Sequence, residues 1–396
     1  MSMNKRSFLG TTGLLGAAAL AFANEERVGE GNAASLVGVG PYLQNVDDTG
    51  ATVMWLTNVK CHSWVEWGET DALGKKAQMI VDGQVAANNT LNRIRLAGLR
   101  PGRRYFYRIC SREITRYGPY KVEWGRLENS EIKSFETANP DSDALKCIFF
   151  NDIHDNLPLF SKLVEQVDGL DYDLSIFNGD CFNDPATEEK VLRSLATYNQ
   201  GINAASTPVV YLRGNHEIRG AYSRQWPGLV DNPGGKQYFA LSRGPVRFIF
   251  LDCGEDKADS HWAYSGLNDF EGFHREQAEW LEQEIVKPEF TQAKYRVLVH
   301  HIPIYGLNPD SFNPWKTLWG PILNRAGFDM SIHGHTHRAA IHPPHTAGDH
   351  NYPVIIGGGK KMGDGTVTIL EVNKDGLSAT ILDAHGEKTE GYLVEK

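Results

Sequence analysis

Cys147-Ile148-Phe149-Phe150-Asn151-Asp152-Ile153-His154 is the stretch on which the fold turns. A short apolar, β-favouring run stops at a polar cluster. Phe160, Leu163, Val164 and Val167 then follow at the spacing of one helix face. A strand giving way to a helix within a few residues is the repeating unit of an α/β fold. The same unit recurs downstream. Apolar runs at 174–177, 209–212, 246–251, 297–299 and 330–332 are spaced by helical patterns around 188–199, at Ala278, Leu281 and Ile285, and near 315–324. Runs at 354–356, 367–372 and 377–382 close the chain, the last two flanking the hairpin signal Asn373-Lys374-Asp375-Gly376. The expectation is an α/β sandwich with mixed sheets.

In open α/β sheets, ligands bind beyond the carboxyl ends of the strands. The residues following each apolar run are therefore informative. They are Asn151-Asp152-Ile153-His154, Asn178-Gly179-Asp180, Gly214-Asn215-His216-Glu217, His300-His301-Ile302-Pro303 and His333-Gly334-His335-Thr336-His337. Any one Asp or His reads most simply as a loop cap or a satisfied core residue. Five strand ends that all deliver Asp, Asn or His read as a site. The donors are oxygen and imidazole, with no thiolate pattern, which suits borderline or hard first-row divalent metals. Asp152, His154, Asp180, Asn215, His301, His335 and His337 are too many for one tetrahedral ion. A shared carboxylate would let two ions sit ~3.5–4 Å apart and hold a phosphoryl group between them.

Upstream, the periodicity changes. Residues 35–138 alternate with period two, as in Ala51-Thr52-Val53-Met54-Trp55-Leu56-Thr57 and Ser63-Trp64-Val65-Glu66-Trp67. Turns such as Asp82-Gly83 and Pro101-Gly102 break the runs, and no helical period appears. About seven short strands in ~100 residues fit a β-sandwich. The polar segment 139–143 marks the boundary with the α/β region at 145–396. Lys5-Arg6, the apolar run 8–23 and the small residues Ala21 and Ala23 before Asn24 are the pattern of a cleaved export signal over residues 1–23. No later stretch reaches the ~18 apolar residues of a membrane span, so no membrane association is expected after cleavage.

Composition narrows the function classes. The chain has 396 residues, with 40 Lys and Arg against 49 Asp and Glu, a net charge of −9 and no basic run, which argues against gripping a nucleic-acid backbone. Five scattered cysteines exclude a disulfide scaffold or a zinc knuckle.

The ordered set D-x-H, G-D, G-N-H-E, H-x-P, G-H-x-H over residues 145–396 resembles the calcineurin-like metallophosphoesterases. With the preceding sandwich, where Gly40-Pro41 through Trp55 and Leu96-Ala97-Gly98-Leu99-Arg100-Pro101-Gly102 are similar to a fibronectin-III-like domain, the whole resembles purple acid phosphatases. The resemblance implies a metallophosphatase α/β/β/α sandwich behind an all-β fibronectin-III-like sandwich. It implies two divalent cations (Mn, Zn or Fe): Asp152, His154 and His337 on the first, Asn215, His301 and His335 on the second, and Asp180 bridging. His301 is favoured over His300 by the H-x-P pattern. His216 is implied as a phosphate-contacting general acid, with a role orienting neighbouring groups as the alternative. Arg213 and Arg219 flank the same loop, where a guanidinium is either a bidentate phosphate clamp or an ordinary surface charge. The loop 218–235, with Tyr222, Arg224 and Trp226, is the expected seat of selectivity. The implied topology also makes Cys61 and Cys110 neighbours able to form a disulfide, or else two unrelated thiols. The activity implied is hydrolysis of small-molecule phosphomonoesters by attack of metal-bound hydroxide. The alternatives are a phosphodiesterase acting on nucleotides or glycerophosphodiesters, and, in another class, a non-catalytic metal-binding or adhesion module. The sequence from Lys5 to Leu9 is similar to a twin-arginine export signal with Lys in place of the first Arg, so the expected location is periplasmic or extracellular. One departure stands out. Purple acid phosphatases carry Tyr three residues after the bridging Asp, where this chain has Asn183. They lack the His of D-x-H, which this chain has as His154. A divalent pair, rather than a ferric site, is therefore expected.

Overall fold

The computed structural model describes residues 34–395, so the expected export signal at 1–23 lies outside them. Two six-stranded sheets face one another. The first runs in the order Val209–Leu212, Leu174–Asn178, Leu145–Phe150, Thr366–Asn373, Gly376–Asp383, Lys388–Val394. Its first three strands are parallel and the rest antiparallel. The second runs Phe239–Arg243, Val246–Phe250, Tyr295–Val299, Met330–His333, Val354–Ile356, Ala340–His342, with four parallel strands between two antiparallel edges.

A single apolar layer fills the space between the sheets. Cys147, Phe149 and Ile176 from one side meet Phe248, Val297 and Ile332 from the other. Because side chains alternate across a strand, Ile148, Phe150 and Phe177 point to the opposite face. There they pack on Leu159, Phe160 and Leu163 of helix Leu157–Glu165 and on Val191, Leu195 and Tyr198 of helix Glu188–Gly201. Helix Phe270–Glu284 covers the outer face of the second sheet through Ala278 and Leu281. The α/β/β/α layering expected from the sequence is thus present.

Three details differ from the expectation. Val167 is buried but lies beyond the helix, which ends at Glu165. The pattern at 315–324 is two helices, Pro314–Leu318 and Gly320–Ala326, because Pro321 has no N–H to continue the first. The strand Lys388–Val394 was not anticipated. It is a half-exposed edge strand with little apolar alternation.

Between residues 37 and 136, Ile80–Val81 and Gln84–Val85 pair in a separate hairpin, and the other seven strands form one hydrogen-bonded antiparallel sheet. Its spine is the 19-residue strand Gly50–Gly68. The first half of that strand pairs with Val37–Gln44 and Ala87–Ala97, the second half with Arg104–Tyr117 and Lys75–Ala77. The irregular register between Leu56 and Cys61, with Asn58, Val59 and Lys60 exposed, lets the two halves close on one core of Val53, Trp55, Val65, Trp67, Tyr105 and Tyr107. Of the two readings of Cys61 and Cys110, a disulfide or two unrelated thiols, the second holds. Cys61 lies opposite Glu113 and Cys110 opposite Trp64, three positions out of step, and both thiols are free and buried.

This β region is fastened to the α/β layers by named bonds. Leu43 N donates to Ala204 O at 2.8 Å, Tyr42 Oη to Leu229 O at 2.8 Å, Tyr107 Oη to Ala205 O at 2.6 Å, and Arg93 to the carbonyls of Gly228 and Val230. Val39, Tyr42, Met54 and Leu56 share the core of the first helical layer. Among the described residues, no helix is long and apolar enough to cross a membrane.

Candidate metal centre

All five polar strand ends converge. The loops after Leu145–Phe150 and Leu174–Asn178 are zipped together by backbone bonds: Asp152 N to Gly179 O (3.1 Å), His154 N to Asp180 O (2.9 Å) and Asp155 N to Cys181 O (2.9 Å). Forming that ladder puts Asp152, His154, Asp155 and Asp180 at positive φ (52°, 50°, 59°, 52°), and His335 and His337 join them at 71° and 54°. Such conformations cost ~1–3 kcal/mol each and persist where surrounding structure imposes them for function. Glycines make the close approach feasible. Gly179 has φ 82°, and a Cβ there would lie 2.6 Å from His301 Nδ1; at Gly214 a Cβ would collide with the Asp180 carboxylate.

The donors form two groups. Asp152, His154, Asp180 and His337 present ligand atoms within 4.8 Å of one another, as do Asp180, His301 and His335; Asp180 belongs to both. His337 Nε2 lies 3.1 Å from Asp152 Oδ1 and from His154 Nε2, and His154 Nε2 lies 3.5 Å from Asp180 Oδ2. Across the bridge, His301 Nε2 is 3.2 Å from Asp180 Oδ2. Asn215 joins the second group through Oδ1, 2.9 Å from His335 Nδ1. The structure thus brings all seven expected donors together.

A cation fits this donor set. Asp152 Oδ2 is occupied by Asn151 Nδ2 and His335 N, both at 2.7 Å, while the buried Oδ1 has no hydrogen-bond partner. The buried Nε2 of His301 is likewise unpartnered, 3.9 Å from that oxygen. The electrostatics agree. Burial penalises charge on Asp180, yet His301 pulls its carboxyl down to about 2. Burial also opposes charge on His301, but Asp180 and Asp152 outweigh it and push its imidazole up to about 10. Two buried carboxylates therefore demand positive charge at the centre.

His301 and His300 part ways as the H-x-P pattern implies. His301 Nδ1 donates to Asn178 O at 2.8 Å, turning Nε2 to the carboxylates. His300 turns away to Ile302 O and Cys253, and burial pushes its imidazole down to about 3. His333 is spent on His300 O and Ser331 Oγ.

His216 stands at the open edge of the site. Its Nδ1 is tied to Asn183 O, and its Nε2 lies 4.0 Å from Asp180 Oδ2 and 3.2 Å from Arg219 Nη1. Arg219 is held by Glu255, through both carboxylate oxygens, and by Asp256. Arg213 is not available to a phosphate: its guanidinium pairs with Asp252 beside the rings of Phe270 and Phe273. Within the expected selectivity loop, Trp226 is a core residue on Phe182 and Tyr211, and Tyr222 reaches Glu188. Arg224 does face a cavity beside the centre.

Sequence reasoning passed over Glu217, the last letter of G-N-H-E. Its buried carboxylate accepts from four backbone N–H groups: Asp180 (2.8 Å), Cys181 (2.7 Å), Phe182 (3.2 Å) and Gly214 (2.7 Å). It ties two ligand loops together without touching a ligand atom itself. Glu217→Ala leaves those donors without an acceptor. Since each orphaned buried donor costs ~1–3 kcal/mol, the expected loss of stability is about 3 kcal/mol or more. Denaturant unfolding of chelator-treated protein measures it, and Glu217→Gln, which keeps one acceptor oxygen, should recover part. An unchanged midpoint in the Ala variant would show that water replaces the carboxylate.

Two facing sheets with a histidine–carboxylate centre at their shared strand ends define the metallophosphoesterase class. Residues 145–339 match the family model of the calcineurin-like phosphoesterases. The mouse serine/threonine-protein phosphatase CPPED1 is 27 % identical over 140 residues, 34 % of this chain and 42 % of its own length, so the similarity spans less than half of that relative. The fold is also that of the yellow lupin purple acid phosphatase PPD1, with a TM-score of 0.64, 14 % identity, and coverage of 90 % of this chain and 74 % of that one. PhoD superposes with a TM-score of 0.61 at 12 % identity, covering 92 % of this chain and 90 % of its own.

Proposed function

We propose that this chain is an exported two-cation phosphoesterase acting on small-molecule phosphomonoesters. The observation that carries the reading is the membership of Asp180 in both donor groups. One cation falls to Asp152, His154 and His337, the other to Asn215, His301 and His335, with Asp180 between them. Bound there, divalent cations acidify water and offset charge on phosphoryl oxygens. The rest is the work of side chains. Asn183 O holds the proton of His216 on Nδ1, so Nε2 is the atom that exchanges a proton with the ester oxygen. Arg219, beside it, sets a guanidinium at the open edge, where a terminal phosphate carries its extra charge. Phosphate release from a monoester panel, set against hydrolysis of a diester panel with Mn, Zn, Fe or Mg added, tests the reading. Turnover confined to diesters would replace monoesterase by phosphodiesterase. No turnover, with fewer than two metal equivalents bound, would favour a non-catalytic module.

The tyrosine positions support a divalent pair. Asn183 supplies only its backbone carbonyl to His216. The hydroxyl of Tyr222 donates to Glu188, and that of Tyr305 accepts from Asn324 Nδ2. With Asn at 183 and neither of these hydroxyls turned to the donor groups, the purified protein should be colourless. His154→Ala should leave about one tightly held metal equivalent, because it removes a donor from one group only. Visible spectroscopy and elemental analysis check both. A strong visible charge-transfer band in active protein would overturn the divalent assignment.

A further inference from the structure

Beside the metal centre lies an open cavity of about 710 Å³ between the loop 218–224 and the segment 255–268. That is ample for an organic group. Arg219 belongs to both places: it lines the cavity and stands 3.2 Å from His216 Nε2. The cavity therefore opens from the edge where a phosphate ester's oxygen would meet its proton donor.

Its lining has two unusual features. The first is aromatic. The short turn of 3₁₀ helix Trp262–Tyr264 presents Trp262 84 % exposed, and Leu267 on the same segment is 74 % exposed. Large apolar side chains this open beside a cleft mark a binding surface rather than a core. The turn is held by local contacts. Tyr264 Oη donates to Glu255 at 2.9 Å, Ala263 N donates to His261 Nδ1 at 3.3 Å, and the His261 ring lies 5.5 Å from that of Trp262. The second is charge. Arg219 and Lys257 are neutralised by Glu255 and Asp256. Arg224, in contrast, contacts neutral oxygens (Ile218 O, Ser223 Oγ and Leu267 O), and no carboxylate pairs with it among the described residues. The lining is left with one uncompensated cation next to an exposed indole face.

We propose that this cavity is the subsite for the alcohol portion of the substrate, and that it selects an aromatic alcohol bearing a negative charge. Trp262 stacks on the ring and Arg224 meets the anion. The proposal rests on the phosphoesterase reading and adds the substrate class to it. Neither residue belongs to the proton-transfer or metal-binding set, so both can be changed without touching the centre.

Non-hydrolysable phosphonates separate the subsite from the chemistry. Binding of n-propylphosphonate, benzylphosphonate and 4-(phosphonomethyl)benzoate to the metal-loaded full chain is measured by titration calorimetry for the wild type, Trp262→Ala and Arg224→Ala. Benzylphosphonate should bind about tenfold tighter than the propyl compound, a preference lost in Trp262→Ala and kept in Arg224→Ala. The added carboxylate should tighten binding by a further several-fold, a gain lost in Arg224→Ala. Equal affinities for the propyl and benzyl compounds, or a preference that survives Trp262→Ala, would overturn the proposal. Turnover of benzyl phosphate and n-propyl phosphate, whose leaving alcohols are of similar acidity, tests the reaction separately. If the binding preference holds while neither ester is hydrolysed, the subsite stands and the hydrolytic reading falls.

Discussion

Asp180→Asn should lose metal from both donor groups and release phosphate ~100-fold more slowly or worse, in a chain that still folds. The Asp180 carboxylate is buried, and three imidazoles surround its Oδ2: His301 at 3.2 Å, His154 at 3.5 Å and His216 at 4.0 Å. Its Oδ1 accepts His216 N at 2.9 Å, which fixes the side chain's rotation. An amide has nearly the same shape, so packing against Gly214 survives. What disappears is the one negative charge common to both groups, and an N–H₂ can then face nitrogens that need an acceptor or a cation. A substitution in a single group, such as His154→Ala, should cost about one metal equivalent, whereas this one should cost affinity at both. Elemental analysis of the purified variant, together with phosphate release under saturating added metal, checks the result. Near-wild-type turnover at full metal content would remove Asp180 from the bridging position.

That a single carboxylate could be singled out without a structure follows from how α/β folds are written. Phe150, Asn178, Leu212, Val299 and His333 end parallel strands, and parallel strands buried on both faces read as uninterrupted apolar runs. The point where each run stops is therefore sharp, and a polar residue just beyond it lies at the same end of its sheet as the others. Position along the chain becomes position in space. The layering of helices over the sheets was legible for the same reason.

What was not legible depends on partners far apart in sequence. Glu217 looks like any other acid until Asp180, Cys181, Phe182 and Gly214 are seen to aim their N–H groups at it. Arg213 and Arg219 are six residues apart and equivalent on paper. Only the fold sets one between Asp252 and two phenyl rings and the other beside His216. Whether Cys61 and Cys110 pair stayed open in the sequence because it turns on a register, here three residues out of step, which strand order alone does not fix. The strand Lys388–Val394 carries too few buried residues to imprint a period.

His216→Ala should keep both metals and still lose ~10²–10⁴-fold in rate on esters with poor leaving groups, the range ascribed to general acid–base catalysis. The imidazole of His216 belongs to neither group of metal donors. Its side chain is 23 % exposed where that of Asp180 is 2 %, so it borders the space a substrate must enter. With Nδ1 anchored on Asn183 O, the ring is held with Nε2 toward that space, next to Arg219. Arg219 can only donate, so it stabilises negative charge but cannot replace the proton on a departing alkoxide. The size of the defect should therefore depend on how much the leaving oxygen needs that proton. A nitrophenolate departs largely unaided, and its ester should lose far less than an alkyl phosphate does. Rates for the wild type and His216→Ala on a series of esters graded by leaving-group acidity give the comparison, with metal content measured in parallel. A steeper dependence on acidity in the variant identifies proton donation. Equal losses across the series would instead mean that the ring grips the phosphate or orients its neighbours, and the proton would then have to come from solvent.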